Sequence, residues 1–221
     1  MRYWVGVDFG QANDFTAVTV MERVRSAHFA HSSDRASSGQ NVRLNELHIP
    51  YLDRPPLRTS YERIARGVVD RLCKLEPVGA FGERREIGLC VDATGVGRAV
   101  VDMLHEQIST RVEMPRVAFW PVVVTGGNRV TRQGGYLAVP KRNLITAGVV
   151  ALQSGRLKIG ASVENRDVLI QELRDYRLKI NVRGHDQYEP WREGAHDDLL
   201  FSMCLAAWAW SFQETTQRIG A

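Results

Sequence analysis

Hydrophobic positions along the chain follow two periods. Residues 3–9 (YWVGVDF) and 86–92 (EIGLCVD) are near-continuous apolar runs of strand length, which read as buried strands. Residues 117–124 form a third run of that kind. A polar turn over 10–14 joins the first run to a second strand at 15–22, an antiparallel hairpin. Residues 43–50 alternate apolar and polar and predict a more exposed strand, and 156–159 a short one. Helical spacing appears at 60–75 through Ile64, Val68, Val69 and Leu72, with Ser60 as a cap. Further helices are predicted over 96–108, entered through TGVG, over 141–153 just after Pro140, and over 163–176 with Val168, Leu169 and Leu173 on one face. The last helix, 195–213, buries Leu199, Leu200, Met203, Ala206, Ala207 and Trp210.

Three segments fit neither period. Residues 25–41 contain HSSDRASSGQN, too polar to bury much, and are expected to form a mobile loop. Residues 125–139 carry Gly126, Gly127, Gly134 and Gly135 at their bends, and predict a hairpin or loop projecting beyond the sheet. Residues 176–188 suggest a small β excursion. No internal repeat and no linker interrupts the chain, so its 221 residues are expected to form one domain.

Composition narrows the class. The hydrophobic share of 44% suits a globular protein with a full core. No apolar run approaches the ~20 residues of a membrane span, and Asp8 breaks the only early apolar run, so no secretory signal is expected. Cys73, Cys90 and Cys204 lie far apart in apolar stretches and read as buried free thiols. The net charge of +4 is concentrated between Arg111 and Arg183, where Arg116, Arg129, Arg132, Lys141 and Arg142 stand among few acids. A polyanionic partner is consistent with that stretch, and so is a solvated basic surface.

The candidate chemistry is carboxylate. Asp8 and Asp92 each end a buried strand, and Asp197-Asp198 opens the last helix. Carboxyl ends of parallel strands form the ligand crevice of open α/β sheets. If the helix packs across them, the acids converge. Two unit charges ~4 Å apart repel by roughly 4 kcal/mol at an effective dielectric of 20, so such a cluster calls for cations among it. Hard divalent ions with oxygen ligands are the natural partners. Taken singly, each aspartate also suits a turn or a helix N-terminus.

The order β-β-β-α-β-α-β-α, with acids after the first strand, after the fourth and on a late helix, resembles an RNase H-like domain: a mixed five-stranded sheet flanked by helices, with an extra β-hairpin. More narrowly, VGVDFGQANDFTAVTV at 5–20, LCVDATGVGRAVVDML at 89–104, TGGNRVTRQGGYLAVPKRNLITAGVVALQSGRLKI at 125–159 and EGAHDDLLFSMCLAAWA at 193–209 are similar to the nuclease domain of the large terminase subunit of tailed phages. The resemblance implies an endonuclease that cuts double-stranded viral DNA concatemers during packaging, with little sequence specificity and two Mg²⁺ or Mn²⁺ ions. It implies Asp8, Asp92 and Asp198, with Asp197, as metal ligands and catalytic acids. Adjacent helical residues diverge by about 100°, so Asp197 and Asp198 cannot both point at one spot. Lys141, Arg129, Arg132 and Arg142 would meet DNA, and His196 could orient a water or a phosphate. Also implied are an ATPase motor domain, a portal protein and a small terminase subunit as partners, and the cytoplasm of an infected bacterium as location.

The sequence departs from a whole terminase in one respect. No G-x-x-x-x-G-K-[ST] loop occurs, and ATGVGRAV has Arg where Lys belongs, so the motor is expected to be absent from this segment. The DFG at 8–10 lacks the other kinase motifs. A resolvase or transposase-type nuclease shares the acids, and a catalytically weak DNA-binding or docking module could share the scaffold.

Overall fold

The computed structural model describes residues 2–10, 14–28, 42–75, 86–94, 97–180, 186–190 and 197–219. Its centre is strand β1 (Tyr3–Asp8), paired antiparallel with β2 (Ala17–His28) and parallel with β4 (Glu86–Asp92). Strand β3 (Val42–Asp53) pairs antiparallel with β2, and β5 (Arg116–Thr125) lies parallel to β4. These are the five strands expected from the sequence. The sheet is wider than that, with eight strands in the order β6-β7-β5-β4-β1-β2-β3-β8.

The three further strands use the free edges, and those at 136–140 and 157–159 fall where YLAV and the short strand at 156–159 read as strands. Strand β7 (Tyr136–Pro140) lies parallel to β5 and carries β6 (Thr131–Gln133) as an antiparallel edge strand. The segment after β5 is thus built into the sheet, and the expected projection shrinks to the turn at Gly134-Gly135. Both glycines have positive φ, 54° and 90°, which side chains other than glycine rarely adopt. At the other edge β8 (Leu157–Ile159) lies parallel to β3. Strands β9 (Tyr176–Ile180) and β10 (Asp186–Pro190) form a separate two-stranded ribbon, the β excursion read from the sequence.

The expected loop at 25–41 is shorter than its composition suggested. Residues 25–28 continue β2 and pair with the start of β3. Ladder hydrogen bonds between backbone groups sustain such a ribbon beyond the apolar stretch of its sequence. The remainder of that segment lies outside the described residues.

Two layers of helix cover the sheet. Helices α1 (Tyr61–Leu75) and α2 (Gly97–Thr110) pack on the face that carries Val5, Val7, Leu89 and Val91. Helices α3 (Lys141–Gln153), α4 (Arg166–Asp175) and α5 (Asp198–Ile219) pack on the face that carries Trp4, Cys90 and Val122. Side chains alternate along a strand, so Trp4, Gly6 and Asp8 share the α5 face. A β-carbon on Gly6 would stand 1.9 Å from the Ser202 carbonyl oxygen and 2.7 Å from the Ala206 nitrogen. The absent side chain lets α5 lie directly on β1. Buried Thr19 Oγ1 and Ser202 Oγ, 2.7 Å apart, hydrogen-bond where α5 crosses β2. Trp4 Nε1 donates to Gln213 Oε1 at 2.9 Å further along the helix. No helix among the described residues is long and apolar enough to cross a membrane.

Candidate metal centre and nucleic-acid surface

Parallel pairing aligns the ends of β1 and β4. Val7 pairs with Val91, and one residue further on each strand come Asp8 and Asp92 on the α5 face. Because β5 and β7 are parallel to them, the same edge receives Pro140 and, at the start of α3, Lys141. Helix α5 brings its first turn to that edge. The Asp197 carbonyl accepts from Phe201 N at 2.8 Å, which makes Asp197 the residue capping the helix, and Asp198 is its first helical residue. The three acid stations, far apart in the chain, meet in one place.

Their electrostatics record the meeting. Burial raises Asp8 well above the usual carboxylate range, and Asp92, Asp198 and Asp197 push it further the same way. Lys141 opposes the rise. Asp92 is raised by burial, restrained by two hydrogen bonds from Thr94 and by Lys141. Thr94 N donates to Asp92 Oδ1 at 2.8 Å, and Thr94 Oγ1 accepts from Val124 N at 2.8 Å. The Asp92 carboxylate is therefore fixed through Thr94 to the neighbouring strand. Lys141 Nζ lies 5.8 Å from the centre of the Phe201 ring, at the side of the cluster nearer β5.

Two residues beside the acids are not singled out from the linear sequence. Glu172, on α4 one turn from buried Leu169, is itself only 7% exposed. Its Oε2 accepts from Leu200 N at 2.8 Å, satisfying an amide in the first turn of α5. Arg54, just after β3, places Nη2 3.2 Å from Asp198 Oδ2. The only trace of Glu172 in the sequence is an acid on the apolar stripe of an amphipathic helix, and Arg54 leaves none.

Glu172 makes stability depend on pH. Burial raises it from 4.5 to about 7, against the Leu200 hydrogen bond and Arg54, with Asp198 and Asp197 adding to the rise. Between those values the folded chain holds a proton that the unfolded chain has released. Stability from this group is thus full below the unfolded pKa and declines as pH rises toward 7. Burial and its acid neighbours act on Asp8 in the same direction. Metal-free protein should melt higher at pH 5 than at pH 8. Glu172→Gln, which keeps an acceptor for Leu200 N, should flatten that dependence in a thermal melt followed by circular dichroism. An unchanged pH slope in the variant would remove Glu172 from this account.

The donor chemistry suits hard cations. Burial pushes Cys204 up to about 12 and raises Cys90 well above its ordinary value, so both nearby thiols stay protonated. Carboxylate oxygen is then the donor the cluster offers, the preference of Mg²⁺ and Mn²⁺. Asp8 and Asp92 remain partly open to solvent, which leaves a path for an ion. Among the described residues no group of three or more His, Cys, Asp or Glu side chains is already arranged to hold one. The acids converge on one edge without their side chains meeting at a common point. His196 lies outside the described residues.

The basic residues divide between surfaces. Arg142 Nη2 donates to Asn128 Oδ1 at 2.6 Å, tying α3 to the turn after β5. Arg129 lines a cleft of about 700 Å³ together with Arg98, Asn128, Gln133 and Tyr136. Val123 and Ala138 floor that cleft, so it lies on the α2 face of the sheet, opposite α5. Arg132 pairs in register with Leu137, which is buried on the α5 face. Arg129 and Arg132 therefore do not form one continuous contact surface.

The mixed eight-stranded sheet and its flanking helices have the fold seen in large terminase nuclease domains. The large terminase nuclease of thermophilic phage G20c with bound magnesium matches at a TM-score of 0.56 and 18% identity, over 93% of this chain and 80% of that one. The human cytomegalovirus terminase nuclease domain, Mn soaked, matches at 0.53 and 12% identity, over 94% and 83%. The HK97 bacteriophage large terminase matches at 0.50 and 11% identity, over 94% of this chain but 39% of its own. No family model matches the chain, and no curated protein matches it in sequence.

Proposed function

We propose that this chain is a metal-dependent endonuclease domain that cuts double-stranded viral DNA concatemers during genome packaging. The observation that carries the reading is the convergence of Asp8, Asp92 and the Asp197-Asp198 pair at the carboxyl edge of a terminase-type sheet. The neighbours solved with magnesium, cobalt or manganese support a divalent ion at such a site. In this reading Asp8, Asp92, Asp198 and Asp197 hold two ions, Mg²⁺ or Mn²⁺. Bound there, the ions would activate a water and stabilise the leaving oxygen.

The chain's own residues do the rest. Asp8, coupled to the other three acids, would help hold the ions, while Asp92 is oriented by Thr94 and Asp198 is held by Arg54. Lys141 stands where it can meet a substrate phosphate. The domain is a single nuclease unit that works with a terminase ATPase, a portal protein and a small subunit in the host cytoplasm. Supercoiled plasmid incubated with Mn²⁺ or Mg²⁺ should be nicked and linearised, and EDTA should stop the reaction. Intact plasmid under all conditions would reject the enzyme and leave a DNA-docking module. Selective cutting of branched junctions would favour a resolvase.

DNA contact is assigned to Arg129, Arg132, Lys141 and Arg142, on phosphates. Affinity should then fall steeply with salt, with a log–log slope of about −0.9 per neutralised phosphate. With Arg129 in the α2-face cleft and Arg132 on the other face, the β6–β7 hairpin would straddle the path of DNA and guide it. Replacing both by alanine should slow plasmid cleavage at low salt and leave Mn²⁺ affinity unchanged. Equal cleavage across a salt series would make the hairpin an inert edge.

A further inference from the structure

We propose that Arg54 is a positioning residue and built-in counter-cation of the acid site, holding Asp198 in place of a divalent ion and so setting how tightly the site takes one. The inference rests on the reading of the acids as ion ligands.

Topology brings Arg54 to the acids. Strand β3 ends at Asp53, which pairs with Val18 at the start of β2, and Ala17 pairs with Asp8. Arg54 therefore enters the carboxyl edge from the β3 side, whereas Lys141 enters from the β5 and β7 side. The acids lie between two cations from opposite edges of the sheet. They treat different members: Lys141 acts on Asp8 and Asp92, Arg54 on Asp198 and Glu172.

The Arg54 contact is suited to exchange. Its side chain is 15% exposed and that of Asp198 is 9% exposed, so the pair is largely withdrawn from water. The guanidinium lies 3.9 Å above the Phe15 ring, a platform that holds it in place without using its N–H donors. One Nη2 reaches one carboxylate oxygen at 3.2 Å, longer than the usual charge-assisted bond. Arg54 Nε is buried with no hydrogen-bond partner, and so is Glu172 Oε1. The guanidinium thus holds one oxygen of Asp198 and leaves its Nε unused. A divalent ion approaching Asp198 meets a like charge already in possession, and it binds more weakly for that.

Titration calorimetry of Mn²⁺ into the DNA-free chain tests this. Arg54→Gln keeps a donor near Asp198 and removes the charge. It should bind Mn²⁺ about tenfold more tightly, the order expected when one unit charge is removed near a divalent ion at high effective dielectric. Arg54→Lys keeps the charge and should stay near wild type. Phe15→Leu loosens the guanidinium without removing it, and should tighten Mn²⁺ binding by a smaller factor. If Arg54 only orients Asp198, the glutamine variant will bind Mn²⁺ as wild type does or more weakly, and the proposal falls. Should that variant fail to fold, Phe15→Leu decides, and unchanged affinity there overturns the idea. Asp198→Asn separates the two levels. If it leaves Mn²⁺ binding intact, the ion site itself is misassigned; if it weakens binding while Arg54→Gln does nothing, only the role of Arg54 is lost.

Discussion

Asp8→Asn should abolish DNA cleavage while raising the melting temperature of the metal-free protein. Asp8 is the carboxylate on which Asp92, Asp198 and Asp197 all press, and it lies in an environment that already disfavours charge. Asparagine keeps the shape and removes the charge, so the metal-free fold loses repulsion. The loss in catalysis has the opposite sign. Ion stabilisation of a phosphoryl transition state is worth several kcal/mol, and each 1.36 kcal/mol is a factor of ten in rate. Cleavage should fall by at least about a thousandfold, read as linearised plasmid in Mn²⁺. Asp92→Asn should behave alike, with a smaller gain in melting temperature, because the Thr94 hydrogen bonds already stabilise its carboxylate. Asp198→Asn should be as damaging as Asp8→Asn, and Asp197→Asn milder, since Asp198 is the more buried and the one Arg54 holds. Wild-type cleavage by either strand-end variant would remove the acid cluster from the mechanism. A reversed order for the adjacent pair would exchange their roles.

The second large effect belongs to a residue without chemistry. Gly6→Ala should destabilise the protein strongly and weaken Mn²⁺ binding at the same time. The added carbon would meet backbone atoms of α5 at 1.9 and 2.7 Å, and backbone cannot rotate away as a side chain can. The helix must lift from β1 and take its first turn with it. Overpacking of this kind costs about 1–3 kcal/mol, and a clash with backbone belongs at or above the upper end. At roughly 2–4 °C per kcal/mol for a chain of this size, the midpoint should fall by about 6–12 °C. Gly67→Ala is the control. It lies on exposed α1 with nothing within 4 Å of the added carbon. There the better helix propensity of alanine should stabilise by up to about 1 kcal/mol. Equal melting temperatures for the two variants would show that α5 does not depend on the gap at Gly6.

Much of this architecture is legible in local pattern. The apolar runs at 86–92 and 141–153 give β4 and α3 with the boundaries observed, because a strand ending on Asp92 and a helix starting after Pro140 both carry local stop and start signals. Elements without such signals drift. Strand β2 runs to His28, well past the apolar stretch that announces it, because ladder hydrogen bonds to β3 sustain it. The segment after β5 reads as a projecting hairpin because its glycines and polar residues are visible in sequence. The free edge of β5 that takes up β7 is not.

The α/β class, the two strands that end on Asp8 and Asp92, and the acidic start of the long apolar helix are readable in the order of residues alone. Each rests on periodicity or composition within a few residues, which nearby side chains and backbone preferences decide. The seat of α5 on β1 through the gap at Gly6, the Glu172 cap on α5 from α4, and the reach of Arg54 to Asp198 across 144 positions of chain arise in the folded molecule. Those contacts follow from which strands are neighbours and which face a helix covers. Partners so distant in sequence leave no periodic trace, and the charge on each is indistinguishable from a solvated one until the fold removes the water.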